Sequence, residues 1–322
     1  MQKPTNAVSM SMVGVMLLAA GSASAQNYPV KPIRIVTAAT GGSGDILARL
    51  IGHGLSVNIG QQVLVDNRGG LGDIAAEVVA KAPPDGYTLL IYASIIWLAP
   101  YLRDNVAWDP LRDYAPITLA TASPNILLVH PSVAANSVQE LIALAKAKPG
   151  QLNYATGGSG SSNHLAMELF KSMTGVNIVR IPYKGSGPAV NALVAGEVQV
   201  LFATPASVTA QMKSGRLRAL AVTSPQPSKL FPGLPTVAAS GLPGYDSQSI
   251  FGIWVPAKTP APIVSRLNQE IIRVLNEQDV KEKLFTSGVE TVGSSPEQFL
   301  AVMKSEMTRM GKVIKDAGIH EE

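Results

Sequence analysis

Apolar and polar positions alternate along the chain in two recurring patterns. Short runs rich in β-branched residues, such as 33–38 (IRIVTA), 62–66 (QVLVD) and 87–92 (YTLLIY), read as strands. Between them apolar residues return at helical spacing. Ile46, Leu47, Leu50, Ile51 and Leu55 form one such stripe, and a second helix is predicted over 73–82, ended by Pro83-Pro84-Asp85-Gly86. The scheme then repeats. Strands are predicted at 126–130, 151–155, 177–181, 198–202 and 217–223. Helices are predicted at 137–147 behind a Ser137-x-x-Glu140 capping box, around Leu165, Leu169, Phe170 and Met173, and from Pro188. The proline-rich segment 225–244 reads as a crossover loop, after which a strand resumes at 249–255. Two helices are predicted to close the chain. One carries Ile263, Leu267, Ile271 and Val274. The other is capped at Ser295 and presents Phe299, Val302, Met303, Met307, Met310 and Val313, whose methionines read as core packing rather than a metal site. Strand–helix alternation of this kind predicts an α/β protein with parallel units.

One hexapeptide stands out against this pattern. ATGGSG occurs at 39–44 and again at 155–160, each time after a predicted strand and before a predicted helix. At a helix N-terminus several backbone N–H groups lack partners and the helix dipole is positive. Glycine lets such a backbone turn tightly and approach a ligand, and Ser and Thr hydroxyls add donors. The corner therefore suits an anion. Neither copy contains Lys or Arg, so neutral donors should favour reversible capture of a carboxylate over a triphosphate. In open sheets ligands sit beyond the carboxyl ends of the strands, so two facing lobes would bring both corners to one cleft.

Composition narrows the class. The 322 residues suggest about two domains, and 46% hydrophobic against 15% charged residues is enough for real cores. The net charge of +4 is scattered, without a run of like charges, so no nucleic-acid partner is expected. Cysteine is absent, which excludes disulfides, thiol catalysis and Cys-ligated zinc. Residues 1–25 read as a secretory signal peptide: Lys3, an apolar stretch over 7–20, then Ala23-Ser24-Ala25 before the cleavage point. No later segment reads as a membrane span.

Catalytic motifs do not assemble. His53, His130, His164 and His320 lack metal-ligand spacing, and Ser43 and Ser159 are outside any G-x-S-x-G. Gly311-Lys312 is followed by Val313, so there is no phosphate-binding loop of the Walker type. No cofactor and no enzymatic activity are expected. Asp45 reads as a helix cap or loop-orienting group rather than a base. His164 reads either as a donor to a bound anion or as a cap on its helix. Trp97 and Tyr101 read as packing at a cleft edge.

A resemblance enters with longer stretches. Residues 28–36 (YPVKPIRIV), 41–50 (GGSGDILARL), 60–70 (GQQVLVDNRGG), 80–90 (AKAPPDGYTLL) and 141–170 carry it. So do 181–189 (IPYKGSGPA), 215–224 (GRLRALAVTS) and 234–245 (LPTVAASGLPGY). In order and together they resemble periplasmic solute-binding proteins of the tripartite tricarboxylate transporter system, the Bug or TctC-like family. The resemblance implies a two-lobed periplasmic binding protein fold. Each lobe would be a mostly parallel sheet flanked by helices, with the ligand cleft between. The lobes would be 26–123 plus 249–322, and 124–248. It implies capture of a small organic carboxylate in the periplasm and delivery to the membrane subunits of such a transporter, by a chain acting as a monomer. A ligand sensor that presents its closed form to a membrane signalling protein is the alternative reading. The implied ligand-binding residues are Thr40, Gly41, Gly42, Ser43 and Asp45 on the first loop, and Gly157, Ser159, Ser161, Ser162 and His164 on the second. Ala203 stands where family members often carry an acid, which points to a plain mono- or dicarboxylate rather than an amino acid. Bulky Ile95, Ile96 and Trp97 after the third strand admit an aromatic carboxylate.

Overall fold

The computed structural model describes residues 28–38, 40–68 and 73–320; the predicted signal segment lies outside them. The chain runs β1 (Ile33–Thr37), α1 (Ser43–Ile59), β2 (Val63–Asn67), α2 (Asp73–Ala80), β3 (Thr88–Ala93), α3 (Ile95–Leu102) and β4 (Tyr114–Pro124). It continues through β5 (Ile126–Val129), α4 (Val138–Ala147), β6 (Asn153–Thr156), α5 (Ser162–Thr174), β7 (Val179–Pro182) and α6 (Ser186–Ala195). Then come β8 (Val200–Ala203), α7 (Pro205–Lys213), β9 (Arg218–Val222) and β10 (Gln248–Pro256). The remaining elements are α8 (Ala261–Asn276), α9 (Gln278–Thr286), β11 (Glu290–Thr291) and α10 (Pro296–Asp316).

These elements build two sheets. The first has the order β11-β4-β10-β3-β1-β2, the second β7-β6-β8-β5-β9. The two-sheet α/β architecture agrees with the expectation, but the sheets are mixed rather than mostly parallel. β1 pairs in parallel with β2 and β3, whereas β10 runs antiparallel to both β3 and β4. In the second sheet β6 is parallel to β7 and β8, and β5 is antiparallel to β8 and β9. The cause is connectivity. β4 carries the chain towards the second sheet and β10 brings it back, so the two lie side by side in opposite directions.

The crossing points are stitched by buried polar groups. Asn125, fully buried between β4 and β5, receives the Thr223 N–H on its carbonyl at 2.9 Å, and the Ser247 N–H donates to Thr223 O at 3.1 Å. Such pairing satisfies backbone that leaves one sheet before entering the next.

Five elements were not foreseen: β4, α3, α7, α9 and the two-residue β11. β4 contains Pro116, which argues against a central strand. Its β11 neighbour pairs only at Thr121 and Ala122, so Pro116 sits where that side of β4 has no ladder partner. α3 contains Pro100 and is apolar on nearly every side. Pro100 cannot donate to Ile96 O, one turn back, and the Trp108 indole N–H donates to that carbonyl instead at 3.1 Å. α7 and α9 are short; α9 makes the C-terminal helices three rather than two. The methionines expected in the core are there: Met303 and Met310 are buried, and the Trp254 indole N–H donates to Met303 Sδ at 3.4 Å.

Candidate functional site

Both glycine corners lie where a strand gives way to a helix, yet the same six letters are used differently. In the first, α1 begins inside the hexapeptide at Ser43, with Gly42 as its cap and Gly41 at φ +85°. The first intrahelical bond runs from the Ile46 N–H to Gly42 O, leaving the Ser43, Gly44 and Asp45 amides without an intrahelical acceptor. Asp45 is buried and its carboxylate is consumed by the loop. It accepts the Gly41 N–H at 2.9 Å, the Asn67 side-chain amide at 2.9 Å and Arg49 Nε at 2.9 Å. Burial works to raise its pKa, but these three donors outweigh it and hold the carboxyl below its ordinary value. Asp45 is thus a loop-orienting group. Thr40, Gly41 and Gly42 are exposed.

In the second corner the helix starts later. Ser161 caps α5, whose first residue is Ser162. The Gly160 N–H donates to His164 Nδ1 at 3.2 Å, which leaves the ring proton on Nε2. His164 is buried; burial first, then the positive charges of Arg180 and Lys171, lower its pKa to about 4. It is therefore neutral near pH 7 and fixes the loop. The amides of Gly158, Ser159, Ser161 and Ser162 find no acceptor among the described residues. Gly157 is required by a close approach: a Cβ there would lie 2.9 Å from the Ser186 amide nitrogen.

The second loop lines a cleft of about 470 Å³. Gly157, Ser159, Ser161 and Ser162 form one wall. The rest of the lining comes from the end of β3 and the start of α3, with Gln248 and Ser249 of β10 and Glu306 and Met310 of α10. Ser43 lines a separate cavity of about 70 Å³ with Ser123 and Thr204; Ser249 borders both spaces. The structure thus brings four second-loop candidates to the main cleft and Ser43 to its neighbour. Thr40, Gly41 and Gly42 are exposed and line neither space, and Asp45 and His164 are buried behind their loops. Ala203 is buried at the end of β8, opposite Ile126.

Two site features escaped the sequence reading. The donors of the second loop are not all neutral. Arg180 of β7 donates from Nε to Thr156 Oγ1 and from Nη2 to Ser159 Oγ, both at 3.1 Å. These described partners are uncharged, so the guanidinium stands behind the donor array with its charge uncompensated by a carboxylate. Parallel pairing of β6 and β7 sets Arg180 opposite Tyr154, just before the loop, a neighbour relation that sequence distance hides. Trp97 also departs from expectation. It is fully buried against Trp254 and Phe299 rather than at a cleft edge, and its indole N–H donates to Glu306 Oε2 at 3.1 Å. Tyr101 is partly exposed and packs over Gly311. Among the described residues there is no cluster of His, Cys, Asp or Glu able to hold a metal ion, and no helix is long and apolar enough to cross a membrane.

Two mixed sheets with a donor-lined cleft between their connecting corners define a two-lobed binding-protein fold. A family model described as the tripartite tricarboxylate transporter family receptor matches residues 47–319, and the chain belongs to that family. Its members are receptors that bind a solute rather than transform it. Protein BugT of Bordetella pertussis is 36% identical over 316 residues, covering 96% of this chain and 97% of the relative. Among solved structures, R. palustris Rpa4515 with adipate is 37% identical with a TM-score of 0.74, covering 92% of this chain and all of that one. MatC (Rpa3494) from Rhodopseudomonas palustris with bound malate is 29% identical with a TM-score of 0.70, covering 89% of this chain and all of that one.

Proposed function

We propose that this chain is an exported periplasmic receptor that captures a small carboxylate in the 470 Å³ cleft and hands it to the membrane subunits of a tripartite tricarboxylate-type transporter. The observation that carries the reading is the second loop with Arg180 behind it. Unpaired amides at the head of α5 and three serines line one wall, and the Arg180 guanidinium is hydrogen-bonded to Ser159 behind it. Fold neighbours whose structures hold adipate and malate support the ligand class. In this reading the lobes are 26–123 plus 249–322, and 124–248. The ligand carboxylate sits on Gly157, Ser159, Ser161 and Ser162, and Ser43 of the first loop reaches it when the lobes close. Asp45 and His164 act by holding their loops. Ligand-dependent closure then presents one surface to the transporter.

The test is titration calorimetry on mature, ligand-stripped protein with citrate, succinate, adipate, glutamate, benzoate and terephthalate. One-to-one binding of a carboxylate is expected, weakened about tenfold or more by Arg180→Gln through loss of a charge-assisted contact. Silence of the folded protein across the panel sinks the carboxylate reading.

A further inference from the structure

We infer that Glu306 forms an acidic pole of the same cleft and selects a ligand carrying a hydrogen-bond donor, a hydroxyl or an ammonium, away from its carboxylate. This rests on the carboxylate reading above. Glu306 belongs to α10 and is only 5% exposed, yet it lines the same cleft as the second loop, with Ile95, Leu98 and Met310. Its two oxygens are unequally served. Oε2 accepts the Trp97 indole N–H. Oε1 has Arg309 Nη2 at 3.9 Å, beyond hydrogen-bond reach, and the same nitrogen lies 3.7 Å from Asp246. No described group donates a hydrogen bond to Oε1.

Oε1 is not among the buried polar atoms that lack a partner: it opens to the cleft, where it is free to accept a donor. Water serves it in the free protein, and a donor group of the ligand can take that place. A second ligand carboxylate would instead meet a like charge there. The cleft therefore holds both kinds of partner: second-loop donors backed by Arg180, and a carboxylate acceptor on α10. The absence of an acid at Ala203 suggested a ligand without a donor group. Glu306 would supply such an acid from a different element, so the proposal reads the ligand differently from that suggestion.

Three groups act on Glu306. Burial dominates and pushes its pKa up to about 7; Arg309 and the Trp97 N–H favour the carboxylate, and Asp246 opposes it. An ammonium ligand should accordingly displace a proton near neutral pH, whereas a dicarboxylate should bind better as pH falls.

The experiment is calorimetry at about pH 8, where Glu306 is ionised. It compares succinate, 4-hydroxybutyrate and 4-aminobutyrate, then adipate, 6-hydroxyhexanoate and 6-aminohexanoate. Parent, Glu306→Gln and Arg180→Gln proteins are titrated. Gln keeps an acceptor for Trp97 and nearly the same volume, and unfolding curves check that it folds. At one chain length a donor-ended ligand should bind about tenfold or more tighter than the matched dicarboxylate. Glu306→Gln should abolish or invert that preference. If Glu306→Gln leaves the ranking unchanged while Arg180→Gln weakens every ligand, the acidic pole is wrong and the carboxylate site stands. If no ligand of either series binds, the carboxylate reading falls and this inference with it.

Discussion

Two buried groups near the cleft should drive stability in opposite directions with pH, and removing either should expose the other. His164 titrates at about 4 in the folded protein instead of 6.5, chiefly because burial disfavours the imidazolium. Folding then releases a proton between those values. The stability this confers is complete above about pH 6.5 and is lost as pH falls towards 4. Glu306 behaves in reverse. Its pKa is raised from 4.5 to about 7, again chiefly by burial, so folding takes up a proton. Its favourable contribution is complete below about 4.5 and is lost as pH rises through 7. Each group has a limiting slope of about 1.4 kcal/mol per pH unit. Between pH 4.5 and 6.5 the two nearly cancel. Relative to the parent, Glu306→Gln should therefore gain about 2 kcal/mol across this window as pH rises, and His164→Gln should lose about the same. The double variant should run parallel to the parent. Urea unfolding followed by tryptophan fluorescence in half-unit pH steps measures this. Difference curves of the same sign, or both flat to within about 0.5 kcal/mol, would refute the opposed-burial account.

Gly252→Ala should destabilise by about 3 kcal/mol or more, because the added Cβ would stand 2.0 Å from Phe299 Cζ and 2.7 Å from Trp254 Cη2, both in fully buried rings. A thermal midpoint close to the parent's would mean that these rings can step aside. Asp45→Asn should cost about 1–2 kcal/mol, since one amide oxygen cannot replace a carboxylate that serves Gly41, Asn67 and Arg49 together. Hydrogen exchange should show faster opening at Gly41, and unchanged protection there would remove Asp45 from its loop-orienting role.

The amphipathic elements were legible because one face of each meets water. α8 shows it best: Ile263, Leu267, Ile271, Val274 and Leu275 are buried at helical spacing while the other face is polar. The elements that were missed lack that contrast. In α3, residues 96–99 and Leu102 are all buried, so no period emerges, and Pro100 argues against a helix until Trp108 is seen to replace the lost donor. β4 fails for a related reason. A proline is forbidden in a strand only where a partner needs its N–H, and which side of β4 is unpaired at Pro116 depends on how far β11 extends. Both are tertiary facts.

The site was half legible on the same logic. The repeated hexapeptide announces two tight, donor-rich corners, and both exist. What it does not announce is where each helix starts. In the first copy Asp45 accepts the Gly41 N–H and the helix begins at the serine of the repeat. In the second, His164 accepts the Gly160 N–H and the helix begins only at Ser162. In each case the acceptor lies four residues beyond its glycine, on the first turn of the helix. The flanking side chain, not the repeat, therefore sets how many amides are left pointing outward. This difference matches the two cavities. The later start of α5 leaves Ser159, Ser161 and Ser162 on the wall of the larger cleft, whereas the earlier start of α1 leaves Ser43 at a small one. The charges that complete the picture come from distant sequence: Arg180 is delivered by parallel strand pairing and Glu306 by α10 packing against Trp97. A donor-rich corner can be read from six letters. What else the ligand must carry is decided by groups that only the fold brings to face it.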